Sequence, residues 1–545
     1  MAFNASYIHK NLALRWLYVV KDDQHQTTIK EYTTQSAIAP IIQQIGQEQV
    51  TTIGLSVYIF NAQISKQFIQ ALKATYPTIN IIVGGPEVTY QVDQWLAIGA
   101  DVVIRGEGEQ LFWQAVNGQL DYPGIASKMR PQTAIAITDL SWLETFENPY
   151  FLPFDQQDQD KRYLYVESSR GCPFLCTYCT SSIDQGVRFF SLATMSKVIQ
   201  KLEESSINQV KFLDRTFNVQ PQRALTLIRQ LNDIKRPLSV QLETEGSIWH
   251  KSLHQFFLHE GKPERFRFEI GVQSLHEPTL KAVMRKQNNA MVLDLIAQLN
   301  HKKYVVHADL IAGLPYETID QFQLSFKQLF WVSPKEIQVG ILKGLPGTPI
   351  VAQAKELGLV FDPHPPYTII KNPWLSEADL EKIKMVALAI DKTYNKPLAK
   401  QLYKALATDQ LPLWDILVAI GFDIAALSHP YQPSDIYNIL IKQASMVIDQ
   451  DLVIGYLAND LAHHPQKPII LKKINKKDQA IQRLMLDISD KIKVNKDQWL
   501  SSSWIQPAIV NHQLAIQVIV YSQNKHFFYS TKGEFMHEQN HFTSN

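Results

Sequence analysis

Residues Glu167–Cys179 read ESSRGCPFLCTYC and hold all three cysteines of the chain, Cys172, Cys176 and Cys179. The run Tyr163–Glu167 is rich in aromatic and apolar residues and predicts a strand. We therefore expect the cysteines on a loop at the C-terminal end of that strand. A disulfide scaffold would need more cysteines, spread more widely. Thiols that stay reduced in a cytosolic chain indicate a metal site or catalysis instead.

Three thiolates on one short loop can hold three irons of a cubane iron–sulfur cluster. The fourth iron then has no protein ligand, and an open coordination position is what substrate binding at a metal requires. A structural zinc site is an alternative, although it usually takes four protein ligands and the chain has no fourth cysteine, so that a distant histidine would have to serve. A cysteine group without a function is the other alternative.

The bulk composition is that of an ordinary globular protein. A length of 545 residues predicts roughly three or four domains. A net charge of +1 indicates neither nucleic acid nor a charged membrane as a partner. The sequence has no apolar stretch of the roughly 18 residues that a membrane span needs, and Met1–Arg15 lacks the pattern of a signal peptide. We expect a cytoplasmic protein.

Residues 1–125 alternate short apolar runs with helix-like segments. The predicted strands are Thr51–Ile59, Ile79–Val83 and Asp101–Ile104, and Ser65–Ala74 reads as an amphipathic helix. Continuous apolar strands followed by helices indicate a parallel sheet covered on both faces, and so a doubly wound, Rossmann-like domain. Glycines stand where these strands end, which is where open α/β sheets bind ligands.

Three further regions follow. Residues 126–161 show little periodicity and read as a linker. Residues 162–365 contain six predicted strands, at Tyr163–Glu167, Val210–Leu213, Ser239–Glu243, Phe266–Ile270, Val305–Ile311 and Glu336–Leu342. Six βα units indicate a partial (β/α)6 barrel of the TIM type, since eight would close a full one. Residues 366–545 predict a mainly helical C-terminal domain, with a helix near Lys477–Val494 and a strand-like run at Ala515–Tyr521.

The cysteine spacing, with Tyr178 before the third cysteine, resembles the radical S-adenosylmethionine (SAM) superfamily over about residues 162–350. The resemblance implies a 4Fe–4S cluster whose free iron chelates the methionine part of SAM. One electron then cleaves SAM to methionine and a 5′-deoxyadenosyl radical, which takes a hydrogen atom from a substrate. It also implies an electron donor such as flavodoxin or ferredoxin and a small-molecule substrate, whose identity the sequence does not reveal.

Several strand ends resemble those of the coproporphyrinogen-dehydrogenase-like branch of that superfamily, namely Gly271–Ser274, Met284–Lys286 and Asp309–Pro315. By this resemblance Gln273, Arg285 and Asp309 contact the carboxylate and ribose hydroxyls of SAM. The chemistry agrees, because an arginine fork suits a carboxylate and an aspartate accepts hydrogen bonds from hydroxyls.

Other strand ends supply further candidates for the SAM site. The resemblance places Glu243 at the amino group or ribose of SAM, with Glu245 as a competitor for that role. It places Tyr178 beside the adenine. Asp214 and Arg215 end another predicted strand, and we expect both to face the active site.

The motifs Gly84–Glu87 and Gly106–Glu109 resemble those of the cobalamin-binding domain that precedes many radical SAM barrels. Glycines allow a backbone to pass close to the flat corrin. The resemblance therefore implies that Gly84, Gly85, Gly106 and Glu107 bind cobalamin and that Ser56 hydrogen-bonds its nucleotide tail. A degenerate domain that holds no cofactor is the alternative.

The best-known motif of that domain, D-x-H-x-x-G, is absent, and Asn4–Asn11 occupies its place. Neutral imidazole suits a metal ligand, so His9 is a candidate for the lower ligand of cobalt. The alternative is a capping or surface histidine, in which case cobalamin binds without a protein ligand. Met1–Phe3 leaves little room for the first strand, so we expect a reduced strand or a natural start upstream.

The whole arrangement resembles bacterial cobalamin-dependent radical SAM proteins with a C-terminal domain of unknown function. The stretches Asn4–His9 and Asp214–Asn218 carry that closer resemblance. It implies an enzyme in which methylcobalamin delivers a methyl group to an unreactive carbon. The alternatives are a radical rearrangement or cyclisation without methyl transfer, and a non-catalytic iron–sulfur or cobalamin-sensing module.

Overall fold

The computed structural model describes residues 1–22, 24–182, 186–396, 398–408, 411–462, 487 and four strands between residues 503 and 540. The chain divides into two compact units. One contains Met1–Lys335 and Gly340–Leu380, and the other contains Glu336–Val339 and Glu381–Asn545. Apart from Asp487, the helix predicted at Lys477–Val494 lies outside the described residues.

The N-terminal part of the first unit is a six-stranded sheet with the order β2-β1-β3-β4-β5-β6. Its strands are β1 (Ala2–Asn4), β2 (Glu31–Thr33), β3 (Thr52–Ser56), β4 (Asn80–Gly84), β5 (Val102–Ile104) and β6 (Ile125–Ser127). The pairs from β2 to β5 are parallel, and β6 runs antiparallel to β5. The predicted doubly wound domain is therefore confirmed, with the short first strand that the sequence implied.

Six helices belong to this sheet: α1 (Leu12–Val19), α2 (Ile38–Gln47), α3 (Ala62–Thr75), α4 (Pro86–Thr89), α5 (Val92–Ile98) and α6 (Phe112–Val116). Successive β-branched residues of β4 are buried because both faces of the sheet are covered. Ile81 and Val83 pack into one core cluster with Phe68 of α3, whereas Ile82 packs into another.

The region after β6 contains α7 (Leu140–Leu143) and a 3-10 helix at Pro153–Asp158. It is fastened to the N-terminal domain by a buried ion pair. The Arg15 guanidinium donates to both oxygens of Asp155, at 2.6 and 2.7 Å. Lys10 lies 3.4 Å from the same carboxylate. The predicted linker is thus packed onto the first domain over part of its length.

The barrel part is a second six-stranded sheet with the order β14-β13-β12-β11-β10-β7. Its strands are β7 (Leu164–Val166), β10 (Gln209–Phe212), β11 (Ser239–Thr244), β12 (Phe266–Gln273), β13 (Val305–Ala312) and β14 (Glu336–Ile341), and a two-residue pair, β8 (Ser169–Arg170) with β9 (Arg188–Phe189), follows β7. The pairings from β7 to β13 are parallel. The predicted partial (β/α)6 barrel is confirmed.

The helices of the barrel are α8 (Leu192–Glu204), α9 (Pro221–Asp233), α10 (Lys251–His259), α11 (Glu277–Ala282), α12 (Asn289–His301), α13 (Ile319–Trp331) and α14 (Pro349–Ala352). A hairpin of β15 (Val360–Phe361) and β16 (Ile369–Lys371) follows. Burial alternates along the strands, so that Phe266, Phe268 and Ile270 of β12 are buried while Glu269 and Gly271, which alternate with them, are partly open. The polar residues therefore line the inner face of the barrel.

The C-terminal region is helical up to residue 462 among its described residues. Its helices are α15 (Glu377–Ala389), a π-helix (Ile390–Tyr394), α16 (Lys400–Thr408), α17 (Leu413–Ala425), α18 (Pro433–Ala444) and α19 (Gln450–Ala462). Four antiparallel strands follow: β17 (Ser503–Val510), β18 (Gln513–Val520), β19 (Lys525–Ser530) and β20 (Phe535–Asn540). The strand predicted at Ala515–Tyr521 is part of this sheet. Within the described part of the chain, no helix has the length and apolar character to cross a bilayer.

Candidate functional site

The three cysteines lie on the loop after β7, at the C-terminal end of the barrel strands. Backbone hydrogen bonds hold the middle of the loop in place. Thr177 donates to the Val283 carbonyl at 3.1 Å, and Thr177 accepts from the Ile350 N–H at 3.0 Å. Cys172, Cys176 and Cys179 all line one cavity of about 180 Å³. The structure thus brings the predicted cluster ligands to a single site.

The arrangement of the thiols argues against a zinc site. Within the described ranges, no three His, Cys, Asp or Glu side chains converge where one metal ion could be held. No histidine lines the cavity with the cysteines. A cubane cluster binds each thiolate to a different iron and does not require them to converge on one point. The donor set therefore fits a 4Fe–4S cluster.

Polar groups and one guanidinium lie close to the thiols. Burial raises the pKa of the Cys176 thiol, while the nearby Arg285 guanidinium and the Tyr178 hydroxyl act in the opposite direction. Arg285 Nη1 lies 4.0 Å from Cys176 Sγ. Cys172 Sγ lies 3.6 Å from Thr216 Oγ1. A cationic neighbour favours the thiolate, which is the form that binds metals.

Asp214 does not line the cavity, contrary to our expectation that it faces the active site. Its buried carboxylate accepts hydrogen bonds from the Ser168 N–H at 2.8 Å, from Ser168 Oγ at 2.5 Å and from Ser169 Oγ at 2.7 Å. Arg215, the next residue, does line the cavity. Neighbours on an extended chain point to opposite sides, and Asp214 instead holds the backbone that leads into the cysteine loop.

Glu243 and Glu245 both line the cavity, but their surroundings differ. Glu245 accepts from Arg285 Nη2 at 2.7 Å and from the Ser247 N–H at 3.1 Å. The Glu243 carboxylate has no hydrogen bond or ion pair with a described residue. Burial raises the pKa of Glu243 to about 7, and the Arg215 guanidinium offsets only part of that effect. Of these two carboxylates, Glu243 is therefore the one whose oxygens remain available to accept hydrogen bonds from a ligand.

Gln273 lies at the irregular end of β12 with a left-handed backbone, φ +64°. Its side chain folds back over Gly271, where an added Cβ would lie 2.2 Å from Gln273 Nε2. The buried Oε1 atom of Gln273 has no hydrogen-bond partner. Arg285 donates to the Gly271 carbonyl from the other side. Strained backbone and an unsatisfied buried acceptor are features that cluster at ligand sites.

Asp309 lies within β13 on the inner face, inside the strand predicted at Val305–Ile311. Its Oδ1 atom is 3.1 Å from Nε2 of His307, two residues earlier on the same face. Glu269 of β12 also lines the cavity, and it accepts from Gln241 Nε2 at 2.6 Å. Glu269 and His307 were not predicted from the sequence. Residues two apart on a strand lie on the same face, so Glu269 could have been inferred from Gly271 and His307 from Asp309.

Every residue that the sequence assigned to SAM lines the cavity of the cysteines: Tyr178, Glu243, Gln273, Arg285 and Asp309. The Tyr178 hydroxyl hydrogen-bonds the Cys176 thiol. The structure thus assembles side chains that lie more than a hundred residues apart along the chain. Their individual roles towards SAM stay predictions.

The residues predicted to bind cobalamin lie at the C-terminal edge of the first sheet. Ser56 ends β3, Gly84 ends β4 and Gly106 follows β5. An added Cβ at Gly84 would meet only the Ile104 side chain, at an ordinary 3.7 Å. At Gly85 it would lie 2.4 Å from the Val57 carbonyl oxygen. A side chain at position 85 would therefore clash with the end of the neighbouring strand, so that glycine is required there. At position 84 there is room for a side chain or for a bound group.

Gly106 and Glu107 are occupied by contacts with other parts of the chain. An added Cβ at Gly106 would lie 2.3 Å from the Ala136 carbonyl oxygen. The Glu107 carboxylate pairs with Arg170 at 3.1 Å and with Arg188. Burial raises the pKa of Glu107, but the two arginines outweigh that effect and lower it overall. A contact of Glu107 with cobalamin would have to come from its backbone.

Arg170 links this edge of the first domain to the cysteine loop. Its guanidinium lies 2.7 Å from Glu109 and 2.7 Å from Glu167, in addition to Glu107. Burial alone would lower the pKa of Arg170, but the three carboxylates outweigh it and raise it well above its usual value. Cys172 follows two residues later. Sequence reasoning missed this cluster.

His9 lies in the loop between β1 and α1. Its Nδ1 atom is 2.5 Å from the Tyr165 hydroxyl on β7, and its ring packs against Tyr163. Burial lowers the pKa of His9, and the cations of Lys211 and Arg162 lower it further. The imidazole is therefore neutral near pH 7. One of its nitrogens is already engaged with the barrel.

Exposed aromatic side chains lie at the same sheet edge. Phe60, in the loop after β3, is 51% exposed and stacks on Tyr58 with ring planes 10° apart. Tyr7, in the loop after β1, is 58% exposed. Exposed aromatic side chains at the edge predicted to bind cobalamin are candidates for contact with a flat macrocycle. A larger cavity of about 780 Å³ elsewhere in this domain is lined by none of the predicted residues.

Family models match three consecutive parts of the chain: the B12 binding domain over residues 1–116, the radical SAM superfamily over residues 166–329 and a protein of unknown function, DUF4080, over residues 355–526. The chain therefore combines a region that matches the B12 binding domain with a region that matches the radical SAM superfamily, as the sequence predicted. The expected cofactors are confirmed as those of these domains, namely a 4Fe–4S cluster, SAM and cobalamin. This radical SAM protein is an enzyme.

Curated relatives of this radical SAM enzyme carry methyltransferase names. An uncharacterized methyltransferase of Pyrococcus horikoshii is 24% identical over 62% of this chain and 76% of its own length. The cobalamin-dependent radical SAM methyltransferase TokK of Streptomyces tokunonensis is 23% identical over 64% of this chain and 55% of its own. The chain thus spans about half the length of TokK. As a group, these relatives support cobalamin-dependent methyl transfer by a radical SAM enzyme.

Solved structures share the fold. OxsB with aqua-cobalamin and SAM bound superposes with a TM-score of 0.59 at 13% identity, over 84% of this chain and 78% of OxsB. TsrM from Kitasatospora setae, with cobalamin and a 4Fe–4S cluster bound, has a TM-score of 0.56 at 13% identity, over 82% of this chain and 99% of TsrM. These likenesses confirm the predicted architecture of the radical SAM enzyme.

Proposed function

We propose that this enzyme reductively cleaves SAM at a cluster held by Cys172, Cys176 and Cys179 and transfers a methyl group to an unactivated carbon of a small molecule. The supporting observation is that the three thiols and the Glu243 carboxylate line one cavity. When bound, the cluster supplies the electron for cleavage and cobalamin carries the methyl group. We also propose the domain boundaries expected above, at residues 125, 161 and 365.

The side chains of the cavity divide the binding of SAM among them. Glu243 accepts hydrogen bonds from the amino group or ribose, because Glu245 is already occupied by Arg285. Gln273 offers a buried acceptor, and Asp309 offers its carboxylate to the ribose hydroxyls. Arg285 offers positive charge to the SAM carboxylate, and Tyr178 lies by the adenine.

Cobalamin occupies the sheet edge of the first domain in this proposal. Ser56, Gly84 and Gly85 face the nucleotide tail, while Gly106 and Glu107 contribute through their backbone. For His9, both alternatives stay open: it is the lower ligand of cobalt, or it is a capping or surface histidine and cobalamin binds without a protein ligand. Because one ring nitrogen is engaged by Tyr165, only the other is available to cobalt. Visible spectra of the bound corrin in the wild type and in His9→Ala separate the two roles, since only loss of a ligand shifts the spectrum.

Anaerobic reconstitution with iron, sulfide and cobalamin, followed by SAM and dithionite, tests the function. We expect 5′-deoxyadenosine from the reduced protein, and S-adenosylhomocysteine as well when cobalamin and a substrate are present. 5′-Deoxyadenosine without S-adenosylhomocysteine in the presence of substrate favours rearrangement or cyclisation. No 5′-deoxyadenosine from a fully loaded and reduced sample contradicts the proposal and favours a sensing module. Failure to bind a corrin favours a degenerate domain.

The affinity for SAM is expected to depend on pH through Glu243. The pKa of this group is raised to about 7 in the free site, and hydrogen bonds from SAM stabilise its ionised form. Affinity should therefore be full above pH 7 and fall by up to about tenfold per pH unit below it. Calorimetric titration from pH 6 to 8.5 measures this.

The variant Glu243→Gln is the control for pH effects that come from protonation of SAM and not of Glu243. It should bind SAM more weakly and lose the part of the pH dependence that belongs to Glu243. Identical pH profiles for the wild type and Glu243→Gln would show that Glu243 does not contact SAM.

A further inference from the structure

The cysteine loop and two segments hydrogen-bonded to it expose apolar side chains to solvent. Leu175, between the first two cysteines, is 46% exposed, Met284 is 53% exposed and Val351 is 37% exposed. Isolated exposed apolar residues are common, but a group of them beside a functional site is informative.

These three residues come together through Thr177. The Thr177 N–H bonds to the carbonyl of Val283, the neighbour of Met284, and the Thr177 carbonyl accepts from Ile350, the neighbour of Val351. Leu175 is two residues before Thr177. Three segments that are distant in sequence thus meet at one point of the cysteine loop.

The same segments carry exposed lysines. Lys281 and Lys286 flank Met284, and Lys355 follows Val351 by four residues. None of the three makes an ion pair with a described residue. The acidic residues of these segments are Glu277 and Glu356. Glu277 stands at the first turn of α11, where a negative charge is favoured by the helix dipole. The surface is therefore apolar at its centre and carries more positive than negative charge at its rim.

One of the cysteines adjoins this surface along the chain. Cys176 is the residue after Leu175, and its sulfur is 4.0 Å from the guanidinium of Arg285, the residue after Met284. By contrast, the SAM side chains line the cavity on the inner face of the barrel. Leu175, Met284 and Val351 do not line that cavity, so a partner that binds to them does not have to occupy it.

We propose that Leu175, Met284 and Val351, with Lys281, Lys286 and Lys355, form the docking surface for a small acidic one-electron carrier protein. The inference rests on the proposed function, which consumes one electron for each SAM cleaved. The carrier loses that electron and the SAM sulfonium gains it, so that the carbon–sulfur bond breaks. An acidic carrier matches the lysines, and weak redox encounters need only a small interface.

The test uses a flavodoxin as the probe and measures its binding to the reconstituted full-length protein by calorimetry at 50 and 300 mM NaCl. The double variant Lys281→Glu/Lys286→Glu should weaken binding by about tenfold at low salt and less at high salt, because the attraction is electrostatic and screened. The control Lys161→Glu/Lys302→Glu should change it less than about twofold. Both control lysines are exposed, and each lies three residues before the start of its strand, β7 for Lys161 and β13 for Lys302, at the opposite end of the strands.

Two outcomes would overturn the docking surface: no binding of flavodoxin to the wild type, or an equal loss of binding in the control variant. A second measurement separates this proposal from the proposed function. Dithionite is a small reductant that needs no docking surface, so 5′-deoxyadenosine formation with dithionite should be equal in the wild type and in Lys281→Glu/Lys286→Glu. If the wild type fails with dithionite, the proposed function fails, while the binding result still decides the docking surface.

Discussion

Replacing Cys176 with alanine is expected to abolish the broad iron–sulfur absorption of the anaerobically reconstituted protein. Cys176 is the most buried of the three thiols and lies between Arg285 and the Tyr178 hydroxyl. Its loss leaves two thiolates for a cluster that needs three from this loop. Formation of 5′-deoxyadenosine with dithionite should fall to the level of a blank without protein.

Leu175→Ala is the matched control because it changes the adjacent residue of the same loop without removing a thiol. It should keep full cluster absorption and full activity with dithionite. A Cys176→Ala protein that retains a cluster of full intensity would contradict the ligand assignment. Loss of the cluster in both variants would show that the loop tolerates no change, and the measurement would then be repeated with Cys172→Ala and Cys179→Ala.

Strands could be predicted from the sequence where apolar residues run nearly unbroken or alternate with polar ones. Ile79–Val83 and Phe266–Ile270 were predicted within a few residues of β4 and β12. The strand Glu31–Thr33 was missed because it is the edge of its sheet and all three of its residues are half-exposed. A half-exposed edge strand of three residues has no apolar run to reveal it.

The residues of the candidate site could be predicted where they belong to a short sequence motif. The cysteine spacing and the order of Gln273, Arg285 and Asp309 led to residues that the fold brings into one cavity. The direction of Asp214 was not predictable, because a strand end does not show which of two neighbours points inward. The partners of Arg170 were not predictable either, since Glu109 is 61 residues away in the chain.

Removal of the Arg170 side chain is expected to be the most destabilising single change at the junction of the first domain and the barrel. Arg170→Ala leaves Glu107, Glu109 and Glu167 with one arginine among three largely buried carboxylates. Breaking a buried ion pair by removing one partner costs about 3–5 kcal/mol, because the remaining charge is uncompensated. Urea unfolding followed by tryptophan fluorescence measures the loss, and Trp16, which donates to Glu167 at 2.6 Å, lies at the site.

The control is Arg229→Ala, which removes an arginine paired with Glu260 where both side chains are 54% exposed. An exposed pair contributes less than about 1 kcal/mol, so this variant should unfold almost as the wild type does. Adding Glu109→Gln and Glu167→Gln to Arg170→Ala should restore part of the lost stability if uncompensated charge is the cause. If Arg170→Ala and Arg229→Ala lose the same small amount, the cluster contributes little to stability. Arg170 would then not be what couples the cobalamin-binding edge to the cysteine loop.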